Sequence, residues 1–265
     1  MLSSLLPSPF SAVVLGASGG IGHALVTALS ASPNVTHILA CVRNGTAPAG
    51  EKIRSCVLDV TDEVTIARAA QEAGTLPSLR LVIVATGVLH EGDLLQPERA
   101  LRQIDPARLA RAFAVNATGP ILVAKHFLPL LAPAGPAVFA ALSARVGSIS
   151  DNRLGGWYAY RASKAALNML LATLALEVRA QRPETMVVGL HPGTVDTSLS
   201  KPFQRNVPEG KLFVPSDAAA RLLSVVGGLT PADSGGVFAW DGARVPALAT
   251  GSTWSTDQVS TRSAL

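Results

Sequence analysis

The sequence is poor in charged and aromatic side chains. Only 15% of its 265 residues are charged and 5% are aromatic, whereas 48% are hydrophobic. Such a composition excludes the disordered class of protein and allows a large aliphatic core. Because the chain is short for two well-built domains, we predict one domain over residues 1–265.

Clusters of basic residues and long hydrophobic runs are also missing. The net charge of +4 comes from Lys and Arg scattered along the chain, unlike the basic patches typical of nucleic-acid and membrane partners. The most apolar helical stretch, residues 165–176, is too short to cross a bilayer, and residues 1–10 lack the basic start of a signal peptide. We therefore expect a cytoplasmic protein that binds neither nucleic acid nor membrane.

Cysteine is rare: the chain has only Cys41 and Cys56. Both lie in apolar, strand-like stretches without a CxxC spacing or a nearby pair of histidines. We predict two buried free thiols and no metal site.

Strand-like and helix-like runs alternate along the chain. The pattern predicts strands at 12–15, 37–42, 53–58, 79–85, 137–142 and 186–190, and helices at 21–30, 64–73, 109–131 and 158–180. This alternation is typical of βαβ units in a parallel sheet, and continuous apolar strands fit a sheet that helices cover on both faces. We predict a doubly wound α/β fold of the Rossmann type with about seven strands.

Two irregular stretches, 88–105 and 194–215, interrupt this pattern. Long loops inside a compact domain are often functional, so we predict that both border an active site. The Ser/Thr-rich segment 250–265 is expected to be a loosely ordered tail.

Glycines cluster directly after the first predicted strand, where residues 16–22 read GASGGIG and a helix is predicted from Ile21. Glycines permit a tight turn and a close approach of the backbone to a pyrophosphate, whose charge the N–H groups of the helix start can hold. A glycine-rich turn alone is equally typical of an ordinary loop. Its place between a strand and a helix favours a dinucleotide site.

The end of the second predicted strand bears on the choice of cofactor. Sites that prefer NAD place an acidic residue about 20 residues beyond the glycines, but here residues 41–44 read CVRN. Arg43 can pair with a 2′-phosphate, so NADP(H) is favoured and NAD(H) is possible. The alternative is that Arg43 is a solvated surface charge. Asp59 ends the third strand and is free for a ligand if Thr61 caps the next helix.

A tyrosine and a lysine begin the long helix, where residues 160–164 read YRASK. Tyr160 and Lys164 are four apart and share one helix face. An adjacent ammonium and a bound nicotinamide cation stabilise a phenolate, which makes such a tyrosine a general acid or base. On its own the spacing is more typical of a surface pair.

Together these motifs resemble the short-chain dehydrogenase/reductase family. The glycine loop, Asn116, Ser143, the YRASK segment and residues 191–193 (HPG) occur in that family's order, over about residues 12–242. The stretch 143–160 is similar to the carbonyl-reductase branch that includes the sniffer and C-factor proteins.

The sequence departs from the family pattern in three places. Leu15 precedes the glycines where Thr is usual, and residues 84–87 read VATG in place of Asn-Asn-Ala-Gly. The gap from Ser143 to Tyr160 is longer than the commonest one. Alternatives to Ser143 as the substrate-binding residue are therefore Ser148, Ser150 and Tyr158.

The resemblance implies a role for each matching residue. Ser143 would donate a hydrogen bond to the substrate oxygen, and Lys164 would bind the nicotinamide ribose and lower the pKa of Tyr160. Asn116 would hold a water that links Lys164 to solvent. The cofactor-binding set would be Gly16, Ser18, Gly20, Ile21, Gly22, Arg43, Asp59 (at the adenine), Val60, Gly87, Tyr160, Lys164, Pro192, Gly193, Val195 and Thr197.

The resemblance implies an NADP(H)-dependent oxidoreductase that reduces an aldehyde or ketone to an alcohol, or runs the reverse reaction. The alternative is an NAD(P)-binding signalling or regulatory protein of the C-factor type. Candidates for an apolar substrate pocket are Trp157, Leu199, Phe203, Phe213 and Trp240. The long helix is apolar nearly all round, which predicts pairing with its copy in a homodimer or homotetramer.

Overall fold

The computed structural model describes residues 5–247. Its strands are β1 (Phe10–Leu15), β2 (Val35–Val42), β3 (Ile53–Val57), β4 (Leu79–Val84), β5 (Ala137–Leu142), β6 (Thr185–His191), β7 (Thr194–Val195), β8 (Leu212–Phe213) and β9 (Val237–Ala239). Seven of them form one parallel sheet in the order β3-β2-β1-β4-β5-β6-β9. The predicted doubly wound, single-domain Rossmann fold is confirmed.

Helices cover both faces of the sheet. They are α1 (Gly20–Ser30), α2 (Glu63–Ala73), α3 (Pro106–Phe113), α4 (Gly119–Phe127), α5 (Tyr158–Gln181) and α6 (Pro215–Gly227). Core residues of α2, α4 and α5 pack on one face, and those of α1 and α6 pack on the other.

Successive side chains along each strand point alternately into these two cores. In β1, Val13 and Leu15 enter the core under α2, α4 and α5, whereas Ala12 and Val14 enter the core under α1 and α6. Every residue of β1 is buried. The strand reads as a continuous apolar run because both of its faces are covered.

The predicted single helix over 109–131 is wrong. The chain forms α3, then a π-helical turn over Ala114–Thr118, then α4 and a short 3₁₀ turn over Leu128–Leu130. Turns of this kind interrupt α-helices where a side chain must be redirected. Asn116 lies inside this one, fully buried.

The region 194–215 is less irregular than expected. It contains the two-stranded parallel ribbon of β7 and β8, joined through a 3₁₀ helix over Lys201–Asn206. The sequence pattern also failed to predict α6. The predicted tail, 250–265, lies outside the described residues, and among the described helices none is long and apolar enough to span a bilayer.

Candidate active site

The predicted site residues lie along one edge of the sheet. The glycine loop follows β1, Gly87 follows β4, Ser143 follows β5, and the HPG segment spans the end of β6. Between β1 and β4 the strand order reverses, and ligands of such sheets bind outside the carboxyl ends of the strands at that point. The fold therefore gathers residues from four distant segments.

The glycine loop packs too tightly for side chains. Gly16 has a φ of +81°, and a Cβ there would lie 3.0 Å from the carbonyl carbon of Ala85. A Cβ on Gly22 would lie 2.1 Å from the Gly16 oxygen, and one on Gly20 would lie 2.7 Å from Cγ2 of Thr197. A side chain would therefore collide with backbone at Gly16 and Gly22 and with the Thr197 side chain at Gly20.

The start of α1 fits an anion. Its N-cap residue, Gly19, offers no side chain to the first N–H groups, and the first turn holds no acidic residue. The glycine loop is anchored to β2, because Gly16 N and Ala17 N donate to the Cys41 oxygen at 2.9 and 3.0 Å. The helix dipole and free N–H groups thus suit a pyrophosphate here.

A cleft of about 340 Å³ opens beside the glycine loop. Seven of the residues that line it are Gly16, Ser18, Arg43, Asp59, Val60, Gly87 and Glu91. Six of these were predicted as cofactor ligands from the sequence. Glu91 was not, because nothing in its local sequence distinguishes it from a solvated loop residue.

Arg43 reaches into this cleft with 52% of its side chain exposed. Its Nη1 lies 3.7 Å from Oε1 of Glu91, whose carboxylate is held more closely by Arg111 at 2.8 and 2.9 Å. The tighter Arg111 bonds satisfy Glu91, so Arg43 is the more available of the two guanidinium groups.

Asp59 faces the same cleft, but the expected capping by Thr61 is wrong. Asp62 caps α2 by accepting from Val64 N at 3.0 Å. The backbone N and hydroxyl of Thr61 donate to Oδ1 of Asp59 at 2.8 and 2.7 Å. Burial acts to raise the pKa of Asp59, but these bonds and the Arg43 charge outweigh it and hold that pKa below its usual value.

A second cavity, of about 220 Å³, adjoins the first. Leu199 lines both. Predicted residues around the second cavity are Ile21, Ser143, Trp157, Tyr160, Pro192, Gly193, Val195, Thr197, Leu199 and Phe203. Phe213 and Trp240, expected in the substrate pocket, instead pack behind Gly193, where a Cβ would lie 2.7 and 3.0 Å from their rings.

Tyr160 and Lys164 are both held inside the protein. Burial raises the pKa of Tyr160 to about 12 and lowers the pKa of Lys164 to about 8. Nζ of Lys164 lies 5.9 Å from the centre of the Tyr160 ring and donates to the Leu142 oxygen at 2.7 Å. The expected lowering of the Tyr160 pKa by Lys164 is therefore not seen in the protein alone.

Ser143 lines the cavity that contains Tyr160, and its alternative Ser148 does not. Ser143 is 4% exposed, and its hydroxyl donates to Oδ1 of Asn168 at 2.6 Å. The Ser148 hydroxyl donates to the Pro246 oxygen and accepts from Asp151 N. Of these two serines, only Ser143 lies at the cavity that contains Tyr160.

The Asn116 side chain is committed to protein partners. Its amide accepts from Val88 N at 2.8 Å and donates to the Val88 oxygen at 2.8 Å and to Oγ of Ser163 at 3.1 Å. These bonds fix the loop after β4 to the π-helical turn. Both Nδ2 hydrogens are used, so a water held by this side chain, as the family role implies, would have to donate to the second lone pair of Oδ1.

Two of the departures from the family pattern lie in tightly packed places. Leu15 is fully buried in the core under α2, α4 and α5. Thr86, in the segment that lacks the paired amides, turns its Cγ2 toward Gly16. Its hydroxyl is buried without a hydrogen-bond partner among residues 5–247.

The entry to α5 is held by a residue that the sequence did not reveal. Trp157 has a left-handed φ of +52° and gives the helix no side-chain cap. Glu98, which is 2% exposed, accepts from Trp157 N through its backbone oxygen and from Ala159 N through Oε2 at 3.1 Å. The Trp157 ring then packs against Tyr160, with 6.2 Å between ring centres.

Comparison with known proteins agrees with this geometry. The family model described as short chain dehydrogenase matches residues 11–208. C-signal of Myxococcus xanthus is 40% identical over 148 residues, which are 56% of this chain and 83% of that protein.

Two further proteins match over nearly their whole length. The 1-hydroxy-2-glutathionyl-2-methyl-3-butene dehydrogenase of Rhodococcus sp. (strain AD45) is 32% identical over 226 residues, covering 84% of this chain and 93% of that enzyme. NADPH-bound carbonyl reductase from chicken fatty liver superposes with a TM-score of 0.77 and 25% identity, covering 90% of this chain and 94% of that one. The chain therefore belongs to the short chain dehydrogenase family and is an NAD(P)-dependent oxidoreductase.

Proposed function

We propose that this protein is an NADP(H)-dependent reductase of aldehydes or ketones, with Tyr160 as its proton donor. The observation that carries the proposal is the shared cavity of Ser143 and Tyr160, which adjoins the cleft at the glycine loop. A carbonyl oxygen between these two hydroxyls would meet both a hydrogen-bond donor and an acid.

The protonation states support the reductive direction. When bound, NADPH supplies a hydride to the carbonyl carbon. The oxygen then becomes an alkoxide, which is far more basic than a phenolate, so Tyr160 can give up its proton although burial raises its pKa to about 12. For the Lys164 ammonium to stabilise the resulting phenolate, it would have to lie closer to the Tyr160 oxygen when the cofactor is bound. Because the Lys164 pKa is near 8, that charge is largely present at neutral pH.

The choice of NADP(H) rests on Arg43 and on the free start of α1. Arg43 is exposed in the cleft and can turn from Glu91 to a 2′-phosphate. The carbonyl reductase from chicken fatty liver, bound to NADPH, supports the same choice. We retain NAD(H) as a weaker second cofactor.

Substrate screening tests the proposal directly. Purified protein is mixed with NADPH and a panel of aldehydes, ketones and diketones, and the loss of NADPH absorbance is followed. We expect turnover with several carbonyls that fit an apolar cavity of about 220 Å³. Tight NADPH binding without turnover on any of them would overturn the proposed activity.

A second candidate is a signalling protein that binds the cofactor without turnover. It is favoured by the 40% identity to C-signal of Myxococcus xanthus. The retained set of Ser143, Tyr160 and Lys164 favours the enzyme, because a pure binder needs no proton donor. Turnover in the screen decides between the two.

We further propose a homodimer or homotetramer that pairs through α5, and a cytoplasmic location. Met169 and Leu176 are 68% and 63% exposed on α5, an unusual exposure for large apolar side chains. The two cysteines are free thiols, as is typical of a reducing compartment.

A further inference from the structure

Asn168 continues the stripe of active-site residues on α5. Tyr160, Lys164 and Asn168 follow one another at intervals of four and so lie on one helix face. Lys164 donates to the Leu142 oxygen at 2.7 Å, and Asn168 accepts from the Ser143 hydroxyl at 2.6 Å. Two neighbouring residues at the end of β5 are thus tied to two successive turns of α5.

The direction of the hydrogen bond between Ser143 and Asn168 bears on the proposed reaction. A serine hydroxyl has one proton, and in this structure that proton points to Oδ1 of Asn168. Ser143 therefore presents lone pairs, not a proton, to the cavity. An alkoxide that forms during carbonyl reduction needs a donor at that place.

Rotation of the Asn168 amide can free the Ser143 proton for the substrate. An amide carries an acceptor on one side and two donor hydrogens on the other, so a half-turn puts Nδ2 where Oδ1 stands. Ser143 would then accept from Nδ2 and could donate its own proton to the substrate oxygen. Within residues 5–247, Nδ2 makes no hydrogen bond that this rotation would break.

Gly147 leaves room beside this amide. A Cβ on Gly147 would lie 3.0 Å from Nδ2 of Asn168 and 2.8 Å from the carbonyl carbon of Lys164. A larger residue there would crowd the amide against α5. Glycine at this place in the short turn after Ser143 therefore avoids that crowding.

We propose that Asn168 is a positioning residue that decides whether Ser143 turns its proton or its lone pairs to the substrate. The inference rests on the proposed carbonyl reduction. If it is correct, the side chain at position 168 must be able both to accept a hydrogen bond from Ser143 and to donate one to it. A residue that only holds β5 against α5 would not need both abilities.

Asn168→Asp tests that requirement because the two side chains have nearly the same shape. An ionised carboxylate only accepts, so it would lock the Ser143 proton away from the substrate. We expect kcat at pH 8 to fall by about 10²–10³-fold, as for loss of one donor to an oxyanion. The Kd for NADPH should change less than about twofold, since Asn168 lies outside the cofactor cleft.

The pH dependence of kcat distinguishes an effect of hydrogen-bond direction from an effect of altered packing. A protonated carboxyl can donate to Ser143, so the ratio of Asn168→Asp to wild-type kcat should rise as pH falls from 8 to 4, toward the ordinary Asp pKa of about 3.9. Asn168→Leu can neither donate nor accept, so it leaves the Ser143 hydroxyl free but no longer oriented, and it should be impaired by the same factor at every pH. Glu177→Gln, an exposed change on the same helix, serves as the control and should match wild type. A flat ratio for Asn168→Asp would overturn the inference.

A double variant tests whether Asn168 acts through Ser143. If it does, Ser143→Ala/Asn168→Asp should have the kcat of Ser143→Ala within about threefold, because the second change has nothing left to remove. Losses that multiply would contradict the inference. If Ser143→Ala alone kept wild-type kcat, the proposed role of Ser143 would fail first.

Asn168→Ser covers the case in which Asn168→Asp does not fold. Its hydroxyl both donates and accepts, so it should retain clearly more activity than Asn168→Leu. Equal kcat values for these two variants, each folded by circular dichroism, would count against the inference.

Discussion

At the residue scale, the proposed chemistry depends on two ionisable side chains whose pKa values are shifted in opposite directions by burial. The Tyr160 pKa rises to about 12 and the Lys164 pKa falls to about 8, because burial disfavours the charged form of each. Tyr160 is thereby kept protonated at neutral pH, as a proton donor must be. The reverse reaction needs the Tyr160 phenolate, which burial disfavours. It would therefore depend on the positive charge of a bound nicotinamide.

We expect Tyr160→Phe to lower kcat for carbonyl reduction by about 10²–10⁴-fold while the Kd for NADPH stays near wild type. The ring packing survives, but the transferable proton is lost. Tyr158→Phe is the matched control, because Tyr158 is the other tyrosine of the chain and is 39% exposed. Near-normal turnover of Tyr160→Phe would show that another group supplies the proton.

Arg43 should determine the preference between the two cofactors. A charge-assisted contact to the 2′-phosphate is worth about 1.5–3 kcal/mol, or roughly ten- to a hundredfold in affinity. Arg43→Ala should raise the Kd for NADPH by that factor and leave the Kd for NADH almost unchanged. Titrations at one fixed ionic strength measure both.

The control for Arg43 is Arg54→Ala, an exposed arginine on β3 that does not line the cleft. It should alter neither Kd. Equal affinity of the wild-type protein for NADH and NADPH, or an Arg43→Ala variant that weakens both alike, would remove Arg43 from this role.

At the element scale, the start of α5 is the most constrained point of the site. Three successive residues, Gly155, Gly156 and Trp157, have φ values of +65°, +65° and +52°. For Trp157 this conformation costs free energy that the surroundings must offset. Glu98 does so from the loop 88–105, since its two hydrogen bonds hold the turn in place.

Glu98→Ala should therefore lower the free energy of unfolding by about 1–3 kcal/mol, because Ala159 N would lose its acceptor in a buried place. Glu98→Gln keeps an acceptor and should cost clearly less. Glu209→Ala, at an exposed position, is the control and should stay within about 0.5 kcal/mol of wild type. Denaturant unfolding measures all three, and a neutral Glu98→Ala would contradict the assigned cap.

At the scale of the whole molecule, pairing through α5 would bury an apolar stripe that the sheet leaves uncovered. We expect the wild-type protein to sediment as a dimer or tetramer at micromolar concentration. Met169→Glu should shift it to the monomer, because two copies would place like charges and unpaired carboxylates in the interface.

Val64→Glu is the control for this experiment, since Val64 is 67% exposed on α2, away from α5. It should not change the assembly. A monomeric wild-type protein would refute the pairing, and a Met169→Glu variant that still assembles would place the interface elsewhere.

The local sequence pattern was sufficient to predict most of the helices and strands. The bounds predicted for β5, 137–142, are those observed, and the helix predicted over 158–180 is found as Tyr158–Gln181. β5 is a short apolar run preceded by Pro136, and the long helix is preceded by Gly155 and Gly156 and followed by Pro183. The π-helical turn was not predictable, because it depends on bonds between Asn116 and Val88, which lie 28 residues apart.

The sequence by itself determined the fold class and the residues proposed to carry the chemistry: the glycine loop, Arg43, Ser143, Tyr160 and Lys164. The spacing and order of these residues can be read from the sequence without knowledge of the fold. Only the tertiary structure decided the direction of the Ser143 proton, the Arg111 bond that frees Arg43, and the shifted pKa values of Tyr160 and Lys164. Burial and hydrogen-bond partners arise from contacts between distant segments, so no local pattern contains them.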